Sequence, residues 1–248
     1  MVNRTDPRFA ARQQMGGAAV PKAGARFDAG LRKYMLSVYN YMASGVLLTG
    51  VVALLTYTSG FVTAFFTPTG PSLLGYIVMF SPLAFVLALS FGINRMSTFA
   101  VQATFWAFAA IMGLSMSTIF ITFTGASIAQ VFFATAAAFA GLSLWGYTTK
   151  KDLSGMGTFL IMGLIGLIVA SVINIFLQSG AMQFVISIIG VLIFAGLTAY
   201  DTQKIKNMYF QVAGSDFAGK AVVMGALSLY LDFINMFMFL LQLFGNRE

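Results

Sequence analysis

Two aspartates stand in runs of residues that ought to exclude a carboxylate. Asp201 lies in "VLIFAGLTAYDTQKIKNMYF" and Asp232 in "ALSLYLDFINMFMFLL". An aspartate near the middle of a membrane-spanning helix costs about 2.5–3.5 kcal/mol on insertion scales, so such residues face protein, water or a partner and mark function. The rest of the inventory narrows the chemistry. The chain has no histidine and no cysteine, and its only glutamate is Glu248. Imidazole catalysis, thiolate metal sites and disulfides are therefore excluded. Ionisable chemistry at membrane depth falls to Asp, Lys, Arg or Tyr.

Two carboxylates within about 4 Å repel by about 4 kcal/mol at an effective dielectric near 20. Such a pair binds one proton between its members, which gives a histidine-free chain a pH switch. The same oxygens suit a hard cation. Calcium takes six to eight oxygen ligands, and two aspartates supply only part of that shell. Ser228 and Asn235 lie at −4 and +3 from Asp232, and Thr198 lies at −3 from Asp201, on the same helix faces. Water completes the shell. So open a site favours passage of a hard cation over its storage, with no resident cofactor expected.

The ordinary reading of Asp201 is a link to a neighbouring helix, or to Lys204 at i+3 with the side chain reaching toward water. Asp232 has no charged neighbour on its own helix. Arg95, in "SFGINRMST", reads either as a topology marker at a helix end or as a counter-charge that latches the ionised pair. Proton uptake would free that latch and also remove the charge that draws calcium. Enzyme activity is not expected, since neither aspartate stands in the Gly-x-Gly-Asp setting of a membrane aspartyl protease.

The elements that position these residues follow from composition. Of 248 residues, 59% are hydrophobic and 8% charged, against about a quarter charged in a soluble domain. Mean hydropathy is +0.87. Apolar runs of about 20 residues match a bilayer crossing, and continuous runs rather than alternating ones exclude a transmembrane barrel. The expectation is an all-α polytopic membrane protein with spans at roughly 35–57, 73–93, 99–123, 127–149, 156–178, 182–209 and 216–244. Residues 1–33, with Arg4, Arg8, Arg12, Lys22, Arg26, Arg32 and Lys33 against Asp6 and Asp28, read as a disordered basic arm, and 34–248 as the membrane domain.

Connections 58–72, 124–127 and 179–181 carry no charge, while the alternate set holds Arg95, Lys150, Lys151, Lys204, Lys206 and Lys220. That alternation puts the N-terminus and the basic loops in the cytoplasm. The scattered basic residues give no nucleic-acid patch. Pro82 predicts a kink in the second span. The small residues of "FFATAAAFAGLSLWG", with Gly163 and Gly166 in the fifth span, predict close helix packing.

The two aspartate stretches, "AGLTAYDTQKIKNMY" and "GALSLYLDFINMFMFLLQLFG", resemble the paired C-terminal signature of the Bax inhibitor (transmembrane Bax inhibitor motif) family in a bacterial form, and the likeness spans residues 30–245. The resemblance implies seven helices with the last at the centre, and a calcium leak governed by pH through Asp201 and Asp232. It also implies a second-helix arginine latch, matched less closely by Arg95. The lysine-rich tail of some eukaryotic members is absent.

The function expected is a pH-sensitive calcium-permeable leak channel in a bacterial inner membrane, its partners being membrane lipid, calcium and protons. Two alternatives stand beside it. One is a cation/proton exchanger built on the same pair. The other, suggested by bacterial members of the family, is a non-transporting regulator that binds membrane proteases or stress proteins.

Overall fold

The computed structural model describes residues 23–247, with side chains from residue 29. Seven long helices carry the chain back and forth: α1 (Ala23–Thr58), α2 (Leu73–Gly92), α3 (Thr98–Met116), α4 (Gly125–Thr148), α5 (Ser154–Leu177), α6 (Gly180–Val212) and α7 (Ala218–Phe244). All seven are long and apolar enough to cross a membrane, α3 together with the short helical turn Ile119–Thr122 that extends it. The apolar side chains that face outward, such as Phe91 and Phe176 at 83% exposure each, make sense only against lipid. The chain is a polytopic helical membrane protein.

Most of the basic arm lies outside the described residues. Its last part does not: residues 23–33 are already helical, so α1 starts well before its apolar run.

The core is organised by α7. It packs on α6, α1, α4 and α3, while α5 packs on α6 and α2 chiefly on α3. Its window is 61% buried, against 39% for the α3 span and 17% for α2 and α5, which makes the last helix the centre of the bundle. It also runs from one end of the bundle to the other. Lys220 Nζ donates to Ile93 O, at the end of α2 (3.2 Å), while Asn246 N donates to Ser127 Oγ on α4 (2.9 Å) at the far end. A re-entrant last segment is thereby ruled out.

Two local features show how backbone polar groups are satisfied without water. Pro82 lies buried within an unbroken α2, and its missing N–H would leave Val78 O without a donor. Ser81 Oγ donates to that carbonyl at 3.1 Å. At the basic end, Lys206 Nζ donates to Tyr147 O (2.7 Å) as Lys220 does to Ile93 O, placing cations on the last turns of α4 and α2.

Close packing of the small residues holds at specific positions. On α4 the buried face is Thr135, Phe139, Ser143 and Gly146, and a Cβ on Gly146 would lie 2.2 Å from Ala199 O of α6. Gly163 faces Ile193, but Gly166 has nothing within 4 Å. The packing role expected of Gly166 is therefore not present: it faces outward.

Candidate functional site

The site is built on the seam between α6 and α7, which are antiparallel neighbours. Gln242 Oε1 accepts from Gln183 Nε2 at 2.5 Å and lies 2.9 Å from Ser187 Oγ. Gly190 leaves room for Phe239, and Gly225 for Ile205. Read along the seam, these contacts set a register in which Asp201 stands opposite Ser228 and Asp232 opposite Thr198. The carboxylates are thus staggered by about one helical turn. Depth agrees: Asp201 is about 11 residues from the end of α6 at Val212, and Asp232 about 14 from the start of α7 at Ala218, or roughly 16 and 21 Å at 1.5 Å per residue. The sequence placed α6's end near 209, and its extra turn narrows the offset.

Burial separates the two. Asp232 is 4% exposed, and its Oδ2 is buried with no hydrogen-bond partner. Asp201 is half-buried. The charges whose fields reach Asp232 are Asp201 and Lys204, and Lys204 also acts on Asp201. Lys204 itself is exposed, its ammonium 5.9 Å from the centre of the Tyr200 ring. The cation beside the pair is thus the lysine one turn below Asp201. Arg95 stands exposed in the turn after α2 and is not among the charges acting on either aspartate. In this conformation Arg95 makes no latch to the pair, and at that end of α2 Lys220 Nζ donates to Ile93 O.

The supporting oxygens divide likewise. Thr198 is fully buried, and its hydroxyl donates to Phe194 O (2.8 Å), which leaves its oxygen able to accept. Ser228 is half-buried at the level of Asp201. Asn235 donates its amide to Leu231 O (2.7 Å), which leaves Oδ1 to accept or coordinate. It also lines a cavity of about 450 Å³ between α2, α3 and α7 that opens beside Phe65, Phe66 and Pro71 at the end away from the basic loops. Neither aspartate lines that cavity. Its floor on α7 is one helical turn from Asp232.

Sequence reasoning missed two polar systems around the seam. Thr49 Oγ1 donates to Ala109 O (2.8 Å), so Tyr230 OH, 2.6 Å away, donates to Thr49 and ties α7 to α1. Thr202 Oγ1 donates to Thr198 O (2.7 Å), so Ser143 donates to Thr202 and Tyr39 to Ser143, at 2.9 and 2.6 Å. This ladder joins α1, α4 and α6 beside Asp201 and ends on a carbonyl, so it braces the helices rather than carrying protons to the site. A hydroxyl's partner in lipid is set by tertiary packing, and the only sequence signal was a polar residue on an otherwise apolar face.

Among the described residues no cluster of three or more His, Cys, Asp or Glu side chains could hold a metal. The arrangement offers two carboxylates, hydroxyls and an amide on a dry seam. It can hold a proton or, with water, a hard cation.

Comparison with known proteins places this arrangement. An uncharacterized protein of Rickettsia prowazekii is 48% identical over 90% of this chain and 93% of its own. The inner membrane protein YbhL of Escherichia coli is 46% identical over 89% of this chain and 94% of its own. An uncharacterized membrane protein of Streptococcus pyogenes is 38% identical over 89% and 96%. The family described as inhibitor of apoptosis-promoting Bax1 matches residues 31–248, and the chain, with its seven helices and paired aspartate stretches, belongs to this Bax inhibitor family.

Proposed function

We propose that the protein is a pH-sensitive, calcium-permeable leak channel of the bacterial inner membrane, gated by Asp201 and Asp232. The observation that carries this reading is the buried, unpartnered Oδ2 of Asp232 in the central helix, with Asp201 the nearest acidic field. A buried polar atom without a partner calls for an explanation, and a proton or a passing cation supplies one.

The pair spans the seam between α6, which carries Asp201, and α7, which carries Asp232 and plugs the bundle. The cavity that ends at Asn235 approaches it from one side. In the closed state the carboxylates share a proton, and calcium passes when they release it or exchange it for the ion, with Thr198, Ser228, Asn235 and water lending oxygens. The basic end faces the cytoplasm, in keeping with the positive-inside rule. That the Escherichia coli relative is an inner membrane protein favours the inner membrane here. The role is transport rather than catalysis.

The test is calcium entry into liposomes holding wild type, Asp201→Asn or Asp232→Asn, from about pH 5.5 to 8, a range wide enough to titrate a carboxylate pair. Flux that titrates in wild type and loses its pH dependence in both variants is the expected result. Variants that follow wild type at every pH would refute the gate. Stoichiometric proton counterflow would turn the reading to an exchanger, and no flux above empty liposomes would turn it to a regulator.

A further inference from the structure

We infer that the cleft between α1 and α4 is a binding site for an anionic phospholipid of the leaflet at the basic end. The two helices do not pack closely on one another along this cleft. They are joined there by the Tyr39–Ser143 hydrogen bond. Beside that bond lies a groove of about 470 Å³ walled by apolar side chains, among them Met35, Leu36, Phe139 and Leu144, a size within the roughly 300–1,000 Å³ of small-molecule sites. It opens sideways from a membrane-spanning face, where the medium that can fill it is lipid.

What sets this groove apart is its polar end. Arg32 and Leu36 line both the apolar groove and an adjoining surface hollow made with Lys33, Ser37 and Asn40. One continuous site thus offers two cations, a hydroxyl and an amide at headgroup level, and an acyl-chain slot beneath. Arg32 and Lys33 are exposed, and among the described residues no carboxylate lines the hollow with them. A guanidinium and an ammonium side by side match a phosphodiester, the first in a fork and the second as a point charge, and basic pockets between spanning helices are a recurrent form of lipid headgroup site.

This site is independent of the proposed leak and stands or falls without it.

Native mass spectrometry of the purified full chain, titrated with equal amounts of dioleoyl phosphatidylglycerol or dioleoyl phosphatidylethanolamine, tests the assignment. Wild type should retain the anionic lipid in preference. Arg32→Gln and Lys33→Gln should each lower that adduct about fivefold, as expected for one basic residue near a lipid surface, and leave the zwitterionic adduct unchanged. Ala140→Trp, at an exposed groove position, should lower both. All three residues face outward, and thermal unfolding checks that the variants remain folded.

Equal retention of the two lipids by wild type would overturn the site. So would an anionic adduct that Lys150→Gln and Lys151→Gln lower as much as the groove variants do, since that would be bulk attraction. A severalfold gain in anionic lipid on removing residues 2–20 would assign the groove to the arm instead.

Discussion

Asp201 and Asp232 stand about one helical turn out of step on antiparallel neighbours, which sets Asp232 at the level of Thr198 and Asp201 at the level of Ser228. The register that places Asp232 opposite Thr198 and Asp201 opposite Ser228 is set by contacts on both sides of the pair, Phe239 in the notch of Gly190 and Ile205 in that of Gly225. The stagger makes coordination and titration separable. Thr198→Val keeps shape and removes one oxygen; Ser228→Ala does the same across the seam. Each should lower calcium flux severalfold while the pH profile keeps its midpoint. A profile that disappears in either variant would mean that the hydroxyl, not the carboxylates, carries the titration.

Asp232 should act against stability. Its Oδ2 is buried and unpartnered, and an uncompensated buried polar atom costs about 1–3 kcal/mol. Asp232→Leu replaces the carboxyl oxygens with methyl groups on the same branched skeleton. The thermal midpoint in detergent should rise, together with loss of flux. A lower midpoint would show that the carboxylate has a stabilising partner in the folded state.

The seven spans and the two aspartates were legible in the sequence, because each rests on a local signal: a long apolar run or a carboxylate inside one; the centrality of the last span came only from the family resemblance. The failures share a different cause. Arg95 was paired with the aspartates on charge and on the family resemblance, and neither signal fixes how the end of α2 docks, where Lys220 donates to Ile93 O. Gly166 was read as packing, but helix spacing does not reveal which face meets protein and which meets lipid when both are apolar. The hydroxyl ladder from Tyr39 to Thr202 links residues far apart in the chain and has no pattern in it.

The Tyr230–Thr49 bond should be a strong fastener of the central helix. Both residues are buried, and Thr49 commits its own proton to Ala109 O, so Tyr230 is the donor. Tyr230→Phe removes that donor and leaves Phe105 and Phe108 packed edge-to-face against the ring. A loss of about 1–2 kcal/mol is expected. In a double-mutant cycle with Thr49→Val in denaturant unfolding, the two losses should be less than additive. Simple additivity would mean that the pair does not interact.

Asp152, in the loop before α5, gives a pH effect outside the spans. The Ser154 hydroxyl and the Ser154 amide (2.9 Å) both donate to its carboxylate and hold it below the usual aspartate range. Because the folded value is depressed, the contribution is present above the ordinary carboxylate range and is lost as pH falls through the folded value. The carboxyl carbon observed by NMR should titrate below about 3.9, the unperturbed midpoint. Ser154→Ala should move it part of the way back, since the amide remains. A midpoint unmoved by the substitution would rule out the hydroxyl as a cause.

Gly146 should be the least tolerant glycine of the bundle's interior. A Cβ there would sit 2.2 Å from Ala199 O, and backbone on both sides leaves no flexible side chain to yield. Gly146→Ala must therefore push α4 away from α6, two residues from Asp201, breaking the Ser143–Thr202 bond on the same face. The cost should be at the upper end of the range for overpacking, about 3 kcal/mol. Gly166→Ala supplies the control. With nothing within 4 Å, it should be neutral or stabilise by up to about 1 kcal/mol through helix propensity. Thermal unfolding of both in the same detergent gives the comparison, and similar midpoints would mean that α4 and α6 are not in backbone contact at Ala199.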